Sequence, residues 1–302
     1  ALEVVERAGS CFPAGDPRDS LAGFAAWPLI DWVPKRGLDH RELSLQALRK
    51  LTLLFSAEFA VRPFLLKDPQ PALKHMEPWT ADENEHVRRL VSEGTRPRLP
   101  WGCRLPMFIA DPRPVLGLLE KLKDDPAEYV RRSVANNLND IAKDHPELVV
   151  QTCRAWSNGA SEQRQWLIRH GLRTLVKQGD REALALLGFT TNPKVKVTMK
   201  LSRISLPVGE DMEIKVELVS RARSRQKLVV DYVVHHMRAN GKTTPKVFKL
   251  RNLDLAPGES VAFVKNHSFM PRSVRRYYPG RHRVELLVGG RVMADCSFTM
   301  TD

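Results

Sequence analysis

The chain has 302 residues and carries 48 Lys and Arg against 35 Asp and Glu, a formal charge of +13. That length is more than one core usually serves, so two domains are expected. No run of about 18 apolar residues occurs, and Cys11, Cys103, Cys153 and Cys296 form no CxxC or Cys/His cluster, which excludes a transmembrane helix, a zinc site and a disulfide framework.

Free thiols in a reducing, cytoplasmic setting are the expectation. The start, ALEVVERAGSCFPAG, lacks the basic flank and apolar core of a secretory signal. It also begins without Met, so a truncated N-terminus is expected. From Pro193 onward there are 21 Lys and Arg against 10 Asp and Glu, a surplus of +11, which leaves +2 for the first 192 residues. A basic final third calls for a polyanionic partner, and nucleic acid or an anionic membrane surface would satisfy it equally.

Up to about Gly37 the chain is rich in Gly, Pro and Asp. Trp27, Leu29, Ile30 and Trp32 form an apolar knot before Pro34, predicting a short helix after an extended lead-in. Asp39 is placed as the N-cap of HRELSLQALRKLTLLFSAEFAVRPFLLKD. That segment is predicted as one long helix or two stacked ones, interrupted near Arg62 and Pro63, with Leu43, Ala47, Leu51 and Leu54 buried. A short helix to about Trp79 follows. In NEHVRRLVSEGTRPRLPW, residues 84–101, Val87, Leu90 and Val91 have helical spacing and Gly94 marks the stop. Glu85, Arg89 and Glu93 share the opposite stripe, which reads either as a solvated face tied by ion pairs or as part of a site. Further helices are predicted over 112–123, 126–144, 145–156, 162–177 and 181–187.

Glu85-His86-Val87-Arg88-Arg89-Leu90-Val91 recurs as Glu128-Tyr129-Val130-Arg131-Arg132-Ser133-Val134, 43 residues later, and loosely around Ile168-Arg169-His170 after 38 more. These periods fit HEAT-type helical hairpins stacked into an α-solenoid with a concave binding groove. After Gly188 seven β-rich segments separated by turn residues predict an antiparallel sandwich. Tyr278, ahead of Pro279-Gly280-Arg281-His282-Arg283-Val284, resembles the tyrosine corner of immunoglobulin-like domains. The expected organisation is therefore a HEAT-like α-solenoid over 1–190 followed by an immunoglobulin-like β-sandwich over 191–302.

On the helix from Pro126, Val130, Val134, Leu138 and Ile141 define the buried face. Arg132, Asn136 and Asn139 lie opposite, with Asp140 on the shoulder. Glu58 lies within LLFSAEFAV, where a carboxylate is either on the solvent side or poorly hydrated. No GxSxG, Walker A, GxGxxG, HExxH or Cys/His nucleophile pair is present, the nine His are scattered, and no metal is assigned. Adjacent His235 and His236 are expected on opposite faces of a strand.

NEHVRRLVSEGTRPRLPWG, with FSAEFAVRPFL before it and VRRSVANNLNDIAKDHPELV after it, closely resembles the AlkC branch of the HEAT-like DNA glycosylases, whose relatives include AlkD. The resemblance spans the helical part, and an immunoglobulin-like extension is a trait of that branch. It implies excision of cationic N-alkylated bases, 3-methyladenine and 3-methylcytosine, from double-stranded DNA by a monofunctional, monomeric glycosylase that needs no cofactor and no membrane. Glu58, Glu93 and Asp140 are then the catalytic carboxylates, stabilising an oxocarbenium-like sugar and orienting a water. Trp101 would stack on the lesion, while Arg89, Arg96 and Arg104 would hold phosphates or carboxylates. Arg132 and Asn136 would join the DNA-facing surface. Arg272, Arg275 and Arg276, with Arg221, Arg223, Arg225 and Lys227, would grip DNA from the β domain. Two competing readings are a non-enzymatic HEAT scaffold for nucleic acid or an acidic protein, and an adaptor using its immunoglobulin-like domain for protein contacts.

Overall fold

A computed structural model describes Arg7, residues 23–271 and residues 276–302. The chain divides into two compact units at Thr174/Leu175. This moves the expected boundary at 190 toward the N-terminus and groups the last helices with the strands.

In the first unit, α1 spans Trp27–Gly37, α2 Arg41–Leu51, α3 Arg62–Lys67 and α4 Pro69–Met76, followed by a 3-10 turn, Glu77–Ala81. Next come α5 (Glu85–Gly94), α6 (Pro106–Ala110), α7 (Arg113–Leu122), α8 (Glu128–Ile141), α9 (Pro146–Ser157), α10 (Glu162–Gly171) and α11 (Arg173–Gln178), which crosses the boundary. Proline in the first turn of α3, α4, α6, α7 and α9 explains the Pro-marked joints, because its missing N–H is an orphan there anyway.

Several predicted details change. The segment from 39 to 67 breaks at Thr52–Val61, ahead of Pro63, so Glu58 sits in a turn and not on a helix. Leu43 is exposed, and α2 buries Leu45, Ala47, Leu48 and Leu51. His40 is the residue before α2, while Asp39 binds Lys67 across 2.6 Å instead of capping. The short α6 lies between the segments 84–101 and 112–123, where no helix is predicted.

The 43-residue repeat is visible as matched chemistry. Arg88 Nη1 donates to the carbonyls of Asp82 and Glu83, and Arg131 Nη1 to those of Asp125 and Pro126. Asp82 Oδ1 accepts the Asn84 N–H at 2.9 Å, and Asp125 Oδ1 the Ala127 N–H at 2.9 Å. Each motif ties the start of its helix to the preceding turn, satisfying groups that helix termini leave open. α8 packs between α5 and α10. Val87, Leu90 and Val91 from α5, Val130, Val134 and Leu138 from α8, and Leu167 and Ile168 from α10 are buried, each stabilising by about 1.5–3 kcal/mol on transfer from water.

In the second unit, α12 (Arg181–Leu186) precedes eight strands: β1 Val195–Leu201, β2 Ser205–Pro207, β3 Asp211–Ser220, β4 Gln226–Met237, β5 Thr243–Leu255, β6 Ser260–Ser268, β7 Gly280–Val288 and β8 Arg291–Thr301. They form sheets of order β1-β3-β6 and β2-β8-β7-β4-β5. The three-residue β2 joins β8 in parallel and is too short to show a period-2 signal. β3 alternates exposed and buried residues, as a strand with one wet face should. β4 does not, because Val230, Tyr232 and Val234 enter the sandwich core while Val229, on the other face, is covered by Val176 and Leu184. His235 and His236 do face opposite sides: His235 pairs with Glu285 at 3.0 Å, and His236 enters the aromatic core. Tyr277, not Tyr278, is the buried tyrosine at the corner; Tyr278 instead takes the Arg276 guanidinium 5.6 Å above its ring. Among the described residues no helix is long and apolar enough to cross a membrane.

Candidate active site

Asn84 starts α5 by accepting the His86 N–H at 2.8 Å. Glu93 follows Arg89 by four positions, so both rise from one helical stripe. That stripe is not a solvated face. Glu93 is buried and Arg89 half-buried, whereas Glu85 is exposed. α8, packed alongside, brings Ser133, Asn137 and Asp140 against the same side. The turn at 52–61 adds Ser56 and Glu58, so three stretches far apart in sequence meet.

Arg96 lies at the centre. Its Nη1 donates to Glu93 Oε1 at 2.6 Å and its Nε to Asp140 Oδ2 at 2.8 Å. Arg89 Nη1 donates to Glu58 Oε2 at 2.8 Å and to Ser56 Oγ at 3.0 Å, and its Nη2 stands 3.7 Å from Glu93 Oε1. Burial opposes charge on both arginines. Glu93, with Tyr129 and Glu58 for Arg89 and with Asp140 for Arg96, outweighs it and holds each guanidinium above its ordinary pKa.

The carboxylates are not equally held. Asp140 is 2% exposed, and Lys143 occupies its Oδ1 at 2.8 Å. The Oε2 atom of Glu93 accepts the Ser133 hydroxyl at 2.6 Å. Glu58 uses only Oε2, for Ser56 and Arg89, so among the described residues Oε1 is the open carboxylate oxygen of the three.

The loop after α5 is built to turn one side chain inward and another outward. Arg96 is buried, while Trp101 is 99% exposed with φ 61°, a left-handed backbone uncommon for a non-Gly residue. Thr95 returns its hydroxyl to the Val91 carbonyl, and Asn137 Nδ2 donates to Ser92 O at 2.8 Å, fixing where the loop leaves the helix. Arg104 is exposed at the far end.

Other expected contacts are placed differently. Arg132 is exposed and pairs with Glu128, its guanidinium 5.5 Å from the Trp166 ring. Asn136 is half-buried and accepts from Arg173 at 3.0 Å, so it supports a neighbouring helix. Asn139, read as lying opposite the core, is buried and accepts the Thr174 N–H at 3.3 Å. Arg96 turns its Nε and Nη1 donors to carboxylates, whereas Arg104 is exposed. Arg276 is exposed, and Arg272 and Arg275 lie outside the described residues.

Three residues at the site were given no role by sequence reasoning. Tyr129 packs its ring 4.8 Å beneath Arg89, Ser133 binds Glu93, and Arg62 is the largest fully buried polar side chain. The repeat alignment offered a clue to the first, since Arg89 over Tyr129 is matched one repeat on by Arg132 over Trp166.

Residues 52–175 match the family described as "DNA alkylation repair enzyme", and residues 196–302 match "Uncharacterised protein YhaZ, C-terminal Ig-like domain". The chain is 40% identical over 286 residues to "Uncharacterized protein YhaZ" of Bacillus subtilis (strain 168), covering 94% of this chain and 79% of that protein. It is 38% identical to the Pseudomonas fluorescens alkylpurine DNA glycosylase AlkC bound to DNA containing an abasic site analog. That match has a TM-score of 0.92 and covers 100% of this chain and 83% of that one. A HEAT-like helical unit bearing a carboxylate–arginine cluster, an immunoglobulin-like unit and matches over both place this chain in the AlkC-like family of DNA alkylation repair glycosylases.

Proposed function

We propose that the protein removes cationic N-alkylated bases, 3-methyladenine and 3-methylcytosine among them, from double-stranded DNA by hydrolysing the N-glycosidic bond, without a lyase step or a cofactor. The observation that carries this reading is the convergence of Glu58, Glu93 and Asp140 on Arg89 and Arg96.

An alkylated base already bears positive charge, so no acid is needed to make it leave. The C1′–N bond breaks with its electron pair going to the base, and the deficit is left on the sugar. Fixed carboxylates oppose that deficit without reorganising, because their oxygens are already held by arginine, lysine and serine. A water then adds to C1′ and gives up a proton. Glu58 Oε1 is the acceptor suited to orient that water and take the proton, since its other oxygen is anchored by Arg89 and Ser56. Glu93 and Asp140 supply the field, and Trp101 offers a face to the cationic base. The exposed Arg221, Arg223, Arg225, Lys227 and Arg276 of the β unit bind the DNA backbone without regard to sequence, which a lesion-searching enzyme requires. The active species is a monomer.

The test is release of free base from methylated duplex DNA by the purified chain with no additive, followed by mass spectrometry. Release of 3-methyladenine and 3-methylcytosine is expected. A folded protein that binds duplex DNA yet releases neither would establish the scaffold reading instead.

A further inference from the structure

The segment Thr95–Arg104 contains no regular secondary structure, yet it carries both the inward Arg96 and the outward Trp101. Something must hold it, because an exposed left-handed Trp buries nothing that would offset a backbone strain of about 1–3 kcal/mol. The holding group comes from α3. Arg62 is fully buried and has no carboxylate partner among the described residues; its guanidinium is spent on carbonyls at the ends of the loop. Nη1 donates to Gly94 O and Arg96 O, each at 2.9 Å, where the loop begins. Nε donates to Cys103 O at 2.9 Å and Nη2 to the same oxygen, where the loop ends. One planar fork thus joins the two ends of the loop, with Trp101 at the turn between them.

The surroundings leave little room for another arrangement. A Cβ on Gly94 would meet Val61 Cγ2 at 2.5 Å, and one on Gly102 would stand 3.4 Å from Arg62 Nε and 3.1 Å from Leu99 Cδ2. The Leu105 N–H donates to Pro97 O at 3.1 Å, closing the loop a second time. A lysine presents a single ammonium and cannot span both ends with a fixed fork.

From this geometry we infer that Arg62 is a positioning residue for base excision: it staples the Thr95–Arg104 loop so that Arg96 stays between Glu93 and Asp140 while Trp101 is presented in advance to the DNA. The inference rests on the roles given above to Arg96 and Trp101. Pre-ordering the loop removes an entropic cost from the bound state, and displacement of a reacting group by about 1 Å can lower a rate by about a hundredfold.

The experiment compares Arg62→Met, Arg62→Lys, Trp101→Ala and the double variant Arg62→Met/Trp101→Ala in the full chain. Arg62→Met is expected to lower the single-turnover rate of base release at saturating methylated DNA by about ten- to a hundredfold, with affinity for undamaged duplex changed by less than about threefold. Arg62→Lys is expected to fall between it and the wild type, and it serves in its place if Arg62→Met does not fold. The double variant is expected to be little slower than the slower single variant, because the two residues act through one loop.

An independent readout is tryptic cleavage after Arg98 and Arg104, measured under conditions where all variants are folded. Loss of the staple should speed it by about tenfold or more. Unchanged cleavage overturns the inference, and so do rate losses that multiply in the double variant. Trp101→Ala releasing base at the wild-type rate, or a wild type that releases no base, would sink the reading of the site. In either case cleavage alone decides whether Arg62 is the staple.

Discussion

The helical unit buries a chain of linked charges, whereas the β unit buries a cluster of imidazole and aromatic rings. Glu93, Arg96 and Asp140 sit out of water in a continuous chain of ion pairs. In the sandwich, His236, His267 and His282 lie among Tyr232, Phe248, Phe269, Tyr277 and Phe298, with the Tyr232 hydroxyl 2.9 Å from His267 Nδ1. The β unit keeps Arg221, Arg223, Arg225 and Lys227 exposed. A buried ion-pair network is a poor way to gain stability, since apolar residues of equal volume often do as well or better. That buried chain, set against the exposed cations of the β unit, is what the proposed division between a catalytic unit and a DNA-gripping unit rests on.

The sharpest way to break this contrast is to remove charge from the helical network while keeping its shape. Asp140→Asn is expected to lower single-turnover base release by about 10²–10³-fold while binding to undamaged duplex stays within a few-fold; equal losses in both would make Asp140 a binding residue. Glu58→Gln should fall in the same range, because its anchored carboxylate is the acceptor for the attacking water's proton.

The next effect is on stability. Arg96→Met leaves Glu93 and Asp140 buried without their shared cation, and denaturant unfolding should report a loss of about 3–5 kcal/mol. Asp140→Asn should cost much less, because Arg96 retains Glu93.

In the β unit, smaller effects of another kind are expected. Arg276→Ala should weaken duplex binding a few-fold and reduce the salt slope by about one unit, with the saturated excision rate unchanged. A change in the saturated rate would mean the β unit takes part in the chemistry.

The smallest effect concerns protons. Burial, with Arg173 and Arg132 nearby, pulls His170 down to about 4, and burial also lowers His282. Folding thus favours the neutral imidazole. The associated stability is complete above the unfolded-state value of about 6.5 and is lost as pH falls toward the folded-state values. His170→Gln should flatten the decline in unfolding midpoint between those limits, and His282→Gln should do the same from the other unit.

The repeat at 85–91 and 128–134 was legible because stacked hairpins must bury the same face each time, and the structure repeats even the Arg88 and Arg131 caps. Strand alternation marked the second unit for the same reason. It was lost at β4, where helical residues cover the outer face of the sheet and make that face apolar as well.

Sequence by itself determined the two textures, the apolar stripes of α5 and α8, and the residue types a cationic-base chemistry needs, because periodicity and charge are local properties. Only the tertiary structure decided that the Arg89–Glu93 stripe is an inner face, since that depends on α8 lying against it. It also decided that Arg96 turns in while Trp101 turns out, and that Arg62, which looked like a helix interruption, joins the ends of their loop. Which carboxylate keeps an open oxygen depends on the partners of all three, brought together from turn and helices that the linear chain holds far apart.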